Sequence, residues 1–175
     1  MHAFEFAPVT KADIPMLRDW LSTPHAQEWW GEPEHEIGLI FDGERTGQSS
    51  GYIAHHAEEP FAYIQSWPCD AQPADAVAKE PWVANQAPDT LGVDIVIGRP
   101  DLLGKGLGSA CVRVFFDKLF SEGASRIIID PDAANTRAVR AYKKAGFTRF
   151  ASFTKPDGST TQLMEKFPSE GQLTQ

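Results

Sequence analysis

The segment Leu103-Gly104-Lys105-Gly106-Leu107-Gly108 lies between two apolar patterns of different period, and this junction restricts the possible folds more than any other stretch. Before it, Val93, Ile95 and Ile97 alternate with Asp94, Val96 and Gly98, the period of two expected of a β-strand. After it, Leu107, Cys111, Val114, Phe115, Leu119 and Phe120 recur at helical spacing. Three glycines at alternate positions let backbone N–H groups turn toward one point as the helix starts. A helix N-terminus carries partial positive charge, so that point suits an anion, foremost a phosphate or diphosphate, and Lys105 adds a full charge. A plain tight turn would use the same glycines. The spacing is not that of a Walker A loop, since no Gly-Lys-Ser/Thr follows, nor that of a Rossmann dinucleotide turn.

The net charge of −8 argues against nucleic acid as a partner, because neutralising phosphates needs a basic face. An acidic balance suits a cationic small molecule instead. Cys69 and Cys111 give no disulfide framework, and Cys111 lies on the apolar helix stripe, where a core role outweighs a nucleophilic one. No window approaches a membrane span and no leader pattern opens the chain, so a cytoplasmic protein is expected, as monomer or homodimer. His55 and His56 have no ligand spacing around them, and no metal is expected.

Along the chain, Phe4 to Val9 reads as a strand. Thr10, with Asp13 three residues on, reads as the start of a helix carrying Ile14, Leu17, Trp20 and Leu21. A short helix is expected over residues 25–30 and irregular structure over 31–50. Residues 52–56 and 61–67 read as strands joined by a turn at Ala57-Glu58-Glu59-Pro60, and residues 69–90 as a long, proline-rich surface loop. The central strand then spans 91–97 and the following helix 106–121. A buried strand at 126–130 precedes a helix at 135–145. A closing hairpin forms around Pro156-Asp157-Gly158. One domain over residues 1–168, with a loose tail at 169–175, is expected.

This order of elements resembles the GNAT acyltransferase superfamily. Gly106 and Gly108 match its diphosphate turn, whereas Leu103 stands where the family usually has Arg or Gln. A second match is Asn135-x-x-Ala138-x-x-x-Tyr142-x-x-x-Gly146-Phe147, which in the family forms a helix beside the acyl-carrying arm of the cofactor. Asn135 can cap that helix, and Tyr142 lies two turns on along the same face. Outside the cofactor half, the likeness is to aminoglycoside 6′-N-acetyltransferases: Trp20-Leu21, His25, Glu28-Trp29-Trp30-Gly31, Tyr63-Ile64-Gln65-Ser66, Gly92-x-Asp94, Ile129-Asp130-Pro131 and Thr154-x-Pro156-Asp157-Gly158. The chain also resembles, less fully, siderophore-type lysine N-acyltransferases.

The resemblance implies a mixed α/β fold, its twisted sheet splayed at the central strands and flanked by helices. It implies acetyl-CoA as cofactor and a small polycationic amine as substrate. Ile95, Val96, Ile97, Gly104, Lys105, Gly106, Leu107, Gly108, Ser109, Asn135, Ala138 and Tyr142 would hold the cofactor. Backbone N–H groups around Ile95 to Ile97 would hold the oxyanion. Asp94 interrupts an apolar strand, where a charge needs a partner or a purpose. It would assist amine deprotonation, or it would be ion-paired to Arg99 or Arg113. Tyr142 would protonate the departing thiolate, or be a core aromatic. Trp30, Gln65, Trp82, Asp94, Asp130 and Asp157 would contact substrate, with Glu80 adding charge beside Trp82. Asp130 could equally cap the turn before Pro131, and Asp157 reads first as a turn residue. A lysine or hydroxylysine acyltransferase, a protein N-terminal acetyltransferase and a non-catalytic acyl-CoA-binding protein are the alternatives.

Overall fold

The period-two segments form a seven-stranded sheet: β1 (Phe4–Pro8), β2 (Ser50–His56), β3 (Glu59–Pro68), β4 (Thr90–Ile97), β5 (Arg126–Ile129), β6 (Thr148–Thr154) and β7 (Thr160–Lys166), in the order β1-β2-β3-β4-β5-β7-β6. The β1–β2, β2–β3, β5–β7 and β6–β7 pairs are antiparallel and β4–β5 is parallel, the mixed sheet expected. The helices are α1 (Ile14–Leu21), α2 (Pro24–Gln27), α3 (Pro33–Thr46), α4 (Ala74–Lys79), α5 (Leu107–Ser121) and α6 (Thr136–Lys144). This computed structural model describes residues 4–169, so the expected tail lies, from residue 170 on, outside the described residues. The chain forms two compact units. One comprises the residues up to Ser66 with Asp94–Cys111, the other Trp67–Val93 with the chain from Val112.

In the first unit the Asp13 carboxylate accepts from the Thr10 N–H at 2.7 Å and the Thr10 hydroxyl at 2.9 Å, and α1 starts immediately after. Its stripe of Leu17, Trp20 and Leu21 enters a core with Ala26, Ile37, Ile40, Ile53, Tyr63 and Val96. The Trp20 indole lies on Gly98, where a Cβ would come within 1.9 Å of the ring. The expected helix at residues 25–30 is shorter, because α2 closes at Gln27, although the Trp29 and Trp30 N–H groups still donate to Ala26 O.

The expected irregular stretch over 31–50 is instead dominated by α3. Glu32 caps it by accepting from the His35 N–H at 2.9 Å, Pro33 opens its first turn, and Gly47 ends it in the left-handed region at φ 71°. Ile37 and Ile40 bury one face. Two internal glycines hide the pattern in the sequence: Gly38 faces open space, while Gly43 lies under the Ser49 side chain.

The β2–β3 turn is tighter than expected. Only Ala57 and Glu58, at φ 51° and 66°, form it, while Glu59 and Pro60 already pair with His56 and His55. Both central residues are left-handed, as a two-residue hairpin turn demands. Pairing then jumps from Pro60 to Ala62, so Phe61 is a bulge residue, fully buried, and its carbonyl accepts the Gly98 N–H at 2.8 Å.

In the second unit, residues 69–90 are more ordered than a loop. They hold a 3-10 turn at Cys69–Ala71, then α4, then a 3-10 turn at Pro81–Val83. Pro73 and Pro81 stand at helix starts, where a missing N–H costs nothing. Arg126 ties this segment to the sheet by donating to Gln86 Oε1 at 2.9 Å and Glu165 Oε2 at 2.8 Å while stacking over Phe150 at 4.6 Å. Ile127, Ile128 and Ile129 of β5 are buried, and Phe116 of α5 packs on Phe147 at 4.8 Å.

One tie in α3 has a measurable signature. Glu36 accepts the Gly31 N–H at 3.1 Å, and burial, helped by the charge of Asp94, raises its pKa above the ordinary carboxylate range. The folded state therefore binds the Glu36 proton more tightly than the unfolded chain, and stability falls as pH rises from the ordinary glutamate value through the raised one. Glu36→Gln keeps an acceptor and removes the charge. It is expected to raise Tm by about 1–3 °C at pH 7.5, with the gain shrinking toward pH 4. Thermal melts of both proteins across that range check this, and a pH-independent difference would contradict it.

Candidate active site

The glycine turn follows β4 in the first unit. Pro100–Leu102 makes one 3-10 turn, and Gly104 and Gly106 then take φ 74° and 80°, with open space where a Cβ would stand. Those two backbone conformations favour glycine, and a side chain there would be strained. Gly108 does not, since a Cβ there would make ordinary contact with Ile97 at 3.5 Å. The first helical bond of α5 runs from the Ala110 N–H to Gly106 O at 3.0 Å. The N–H groups of Leu107, Gly108 and Ser109 thus belong to the open end of a long helix, where an anion is favoured, and Lys105 is exposed beside them. The end of β4 is pinned by His25, whose Nε2 donates to Ile97 O at 2.6 Å.

Asp94 lies half-buried on β4 in the same unit. Its Oδ2 accepts from Gln65 Nε2 at 2.9 Å, and Gln65 Oε1 accepts the Tyr63 hydroxyl at 2.8 Å. Burial, with Asp94 and Glu44 adding to it, drives the Tyr63 pKa upward, so the phenol stays a donor. A phenol has one proton to give, so the Gln65 amide is held with its oxygen toward Tyr63 and its NH₂ toward Asp94. Arg99, one expected ion-pair partner for Asp94, is held by Asp101 at 3.0 Å. Trp30 stands edge-on to Tyr63 with ring centres 6.4 Å apart. Two acids that the sequence did not single out come from α3. Glu36 lies close enough to Asp94 for that charge to raise its pKa, and Glu44 accepts the Gly51 N–H. The signals for α3 were Pro33 after a capping Glu32, the spacing of Ile37, Ile40 and Phe41, and the stop at Gly47.

In the second unit, Asn135 caps α6 as expected, accepting from the Ala138 N–H at 3.1 Å. Tyr142 is half-buried and its ring stands 6.2 Å from Phe147. Asp130 follows β5 and its charge reaches the Cys69 thiol and the Lys155 ammonium. The turn after Pro131 is held by Asp132, which accepts from the Ala134 N–H at 2.8 Å. Asp157 serves its own turn: it accepts from the Ser159 hydroxyl at 2.7 Å and N–H at 2.8 Å, and those bonds lower its pKa. Trp82 Nε1 donates to Glu80 Oε2 at 2.8 Å, and the ring lies 6.1 Å from Trp67, itself packed on Gly92. Burial pushes both cysteine thiols up to about 12, which suits core residues and not nucleophiles. Among the described residues no His, Cys, Asp and Glu group could hold a metal ion, and no helix is long and apolar enough to cross a membrane.

Residues 9–155 match the family described as the acetyltransferase (GNAT) domain. An aminoglycoside N(6′)-acetyltransferase type 1 of Klebsiella pneumoniae is 33% identical over 165 residues, covering 90% of this chain and 80% of that protein. The crystal structure of aminoglycoside acetyltransferase AAC(6′)-Ib with coenzyme A and kanamycin superposes with a TM-score of 0.83 at 30% identity, over 98% of this chain and 99% of that one. The aminoglycoside N(6′)acetyltransferase of Legionella pneumophila superposes with a TM-score of 0.74 at 25% identity, over 94% and 91% of the two chains. A glycine turn opening onto α5, an acid held on β4 and a capped α6 carrying Tyr142 thus occur in a chain that belongs to the GNAT acetyltransferase family.

Proposed function

We propose that this protein is an acetyl-CoA-dependent N-acetyltransferase acting on the 6′-amine of an aminoglycoside, by direct attack of the amine in a ternary complex. The observation that carries the reading is the hydrogen-bond chain from Tyr63 through Gln65 to Asp94, which aims a carboxylate in a strand of apolar residues. Coenzyme A and kanamycin in the AAC(6′)-Ib complex support the choice of donor and acceptor. The donor supplies an acetyl thioester. The N–H groups of Leu107, Gly108 and Ser109, with Lys105, would hold its diphosphate, and the left-handed backbone at Gly104 and Gly106 leaves the open cradle this needs. Backbone N–H groups of Ile95 to Ile97 would hold the developing oxyanion. Asn135 and Ala138 would position the acyl arm along α6.

An amine of ordinary pKa is an ammonium at pH 7, and freeing its lone pair costs about 4–5 kcal/mol. Asp94 holds that ammonium and takes its proton, directly or through water. Gln65 acts as a positioning residue by fixing Asp94, while Trp30, Trp82, Asp130 and Asp157 contact the acceptor. Tyr142 gives a proton to the departing thiolate, which is a tolerable leaving group on its own because a thiol has a pKa near ~8.5.

Asp94→Asn is therefore expected to lower kcat by roughly 10²–10³-fold, and Tyr142→Phe by about tenfold. Steady-state thiol release measures both, and equal losses would contradict the assigned roles. The reading as a whole is checked with aminoglycosides that differ only in bearing a 6′-amine or a 6′-hydroxyl. Thiol release with the amine alone is expected. Equal release with both would overturn the regiochemistry, and faster release with N6-hydroxylysine would overturn the acceptor class.

A further inference from the structure

Lys155 occupies the turn between β6 and β7, and its backbone is locked there. Its N–H donates to Ser159 O at 2.8 Å and its carbonyl accepts the Gly158 N–H at 2.9 Å. Its ammonium lies 3.2 Å from Glu80 Oε1, while the other oxygen of that carboxylate holds the Trp82 indole N–H. Burial works hardest against the ammonium, but Glu80, Asp130 and Asp157 together outweigh it and raise its pKa above the ordinary lysine value. Glu80 is thus ion-paired to a positive charge of the protein's own, and that charge is also felt by Asp130 and Asp157, the acids of this unit that the proposed function gives to the acceptor. The Lys155 side chain is 39% exposed and that of Glu80 25%, so solvent cations reach the pair. Ion pairs at such exposure are weak, and an ammonium on a flexible four-carbon stem can move aside.

Resting on the acceptor reading above, we propose that Lys155 is a specificity-determining residue: an internal stand-in for one ammonium group of the acceptor, which a polycationic acceptor must displace from Glu80. A positive charge of the acceptor brought to Glu80, Asp130 or Asp157 meets Lys155 as a like charge, whereas an acceptor whose one ammonium is given up to Asp94 has no second charge to bring there. Lys155 would thus weaken binding of heavily charged acceptors relative to lightly charged ones. A purely structural role, in which the ion pair only anchors Trp82 and α4, makes the opposite prediction: losing Lys155 would weaken both kinds of acceptor.

The test is calorimetric binding to the coenzyme A-loaded enzyme of polycationic kanamycin and of 6-amino-6-deoxyglucose, which carries one ammonium. It compares the wild type with Lys155→Met, which keeps the stem and drops the charge, and Lys155→Arg, which keeps the charge. In Lys155→Met the Kd for kanamycin is expected to fall about three- to tenfold at low salt, with the gain shrinking as salt rises, while the monoamine shifts less than twofold. Lys155→Arg should match the wild type. Unchanged or weaker kanamycin binding in Lys155→Met, or an equal shift for both ligands, overturns the proposal. A wild type that binds coenzyme A but neither amine overturns the acceptor reading and this proposal together. That outcome is told apart from the others because it is seen before any variant is made.

Discussion

A carboxylate placed among Val93, Ile95 and Val96 raises the cost of folding unless donors face it, and here the donor is an amide that is itself oriented. The buried phenol of Tyr63 has one proton to donate, the Gln65 oxygen accepts that bond, and the amide NH₂ is left for Asp94. The order of those three groups sets what the first unit can do. Reversing the amide would put an oxygen against a carboxylate and strand the phenol, so chemistry and stability favour the same arrangement. Gly51 belongs to this constraint, because a Cβ at that position would stand 2.5 Å from the Tyr63 oxygen.

The same strand carries the acid and leads into the glycine turn, and several unlike contacts hold its end. His25 takes the carbonyl of Ile97, Gly98 bonds the carbonyl of Phe61, and Trp20 covers Gly98 where no side chain could fit. In this unit the N-terminal helices thus serve the strand end as much as they fill a core. A main chain fixed on this scale suits a reaction whose oxyanion would be held by backbone donors, since such donors help only when they need not reorganise.

Much of this was legible in the sequence because it rests on local rules. The caps at Thr10 and Asn135, the glycine turn, the alternating strands and the isoleucine run of β5 all follow from backbone geometry read at short range. The failures were also physical. Gly38 and Gly43 lower the apparent helix propensity of α3, yet one faces open space and the other makes room for Ser49, so packing of Ile37 and Ile40 prevails. Missing α3 meant missing Glu36 and Glu44. Prolines at residues 73 and 81 read as breakers, whereas here they begin short helices. The link from Tyr63 to Asp94 had no local signal, because it depends on which face of β3 those side chains occupy.

That face is decided by the extra residue at Phe61. Across an antiparallel pair, opposed residues share a side of the sheet, and the bulge sets Tyr63 against Ile53 and Gln65 against Gly51. Were the strand to absorb Phe61 into regular pairing, Tyr63 would lie opposite Tyr52 and its phenol would point away from the acid. A slip of one position in this hairpin would turn the buried Tyr63 and Ile64 to opposite faces of the sheet, so it would cost packing as well as the aim of the acid. The parity of β3 thus ties packing to aim, since one residue inserted into or deleted from the hairpin would upset both.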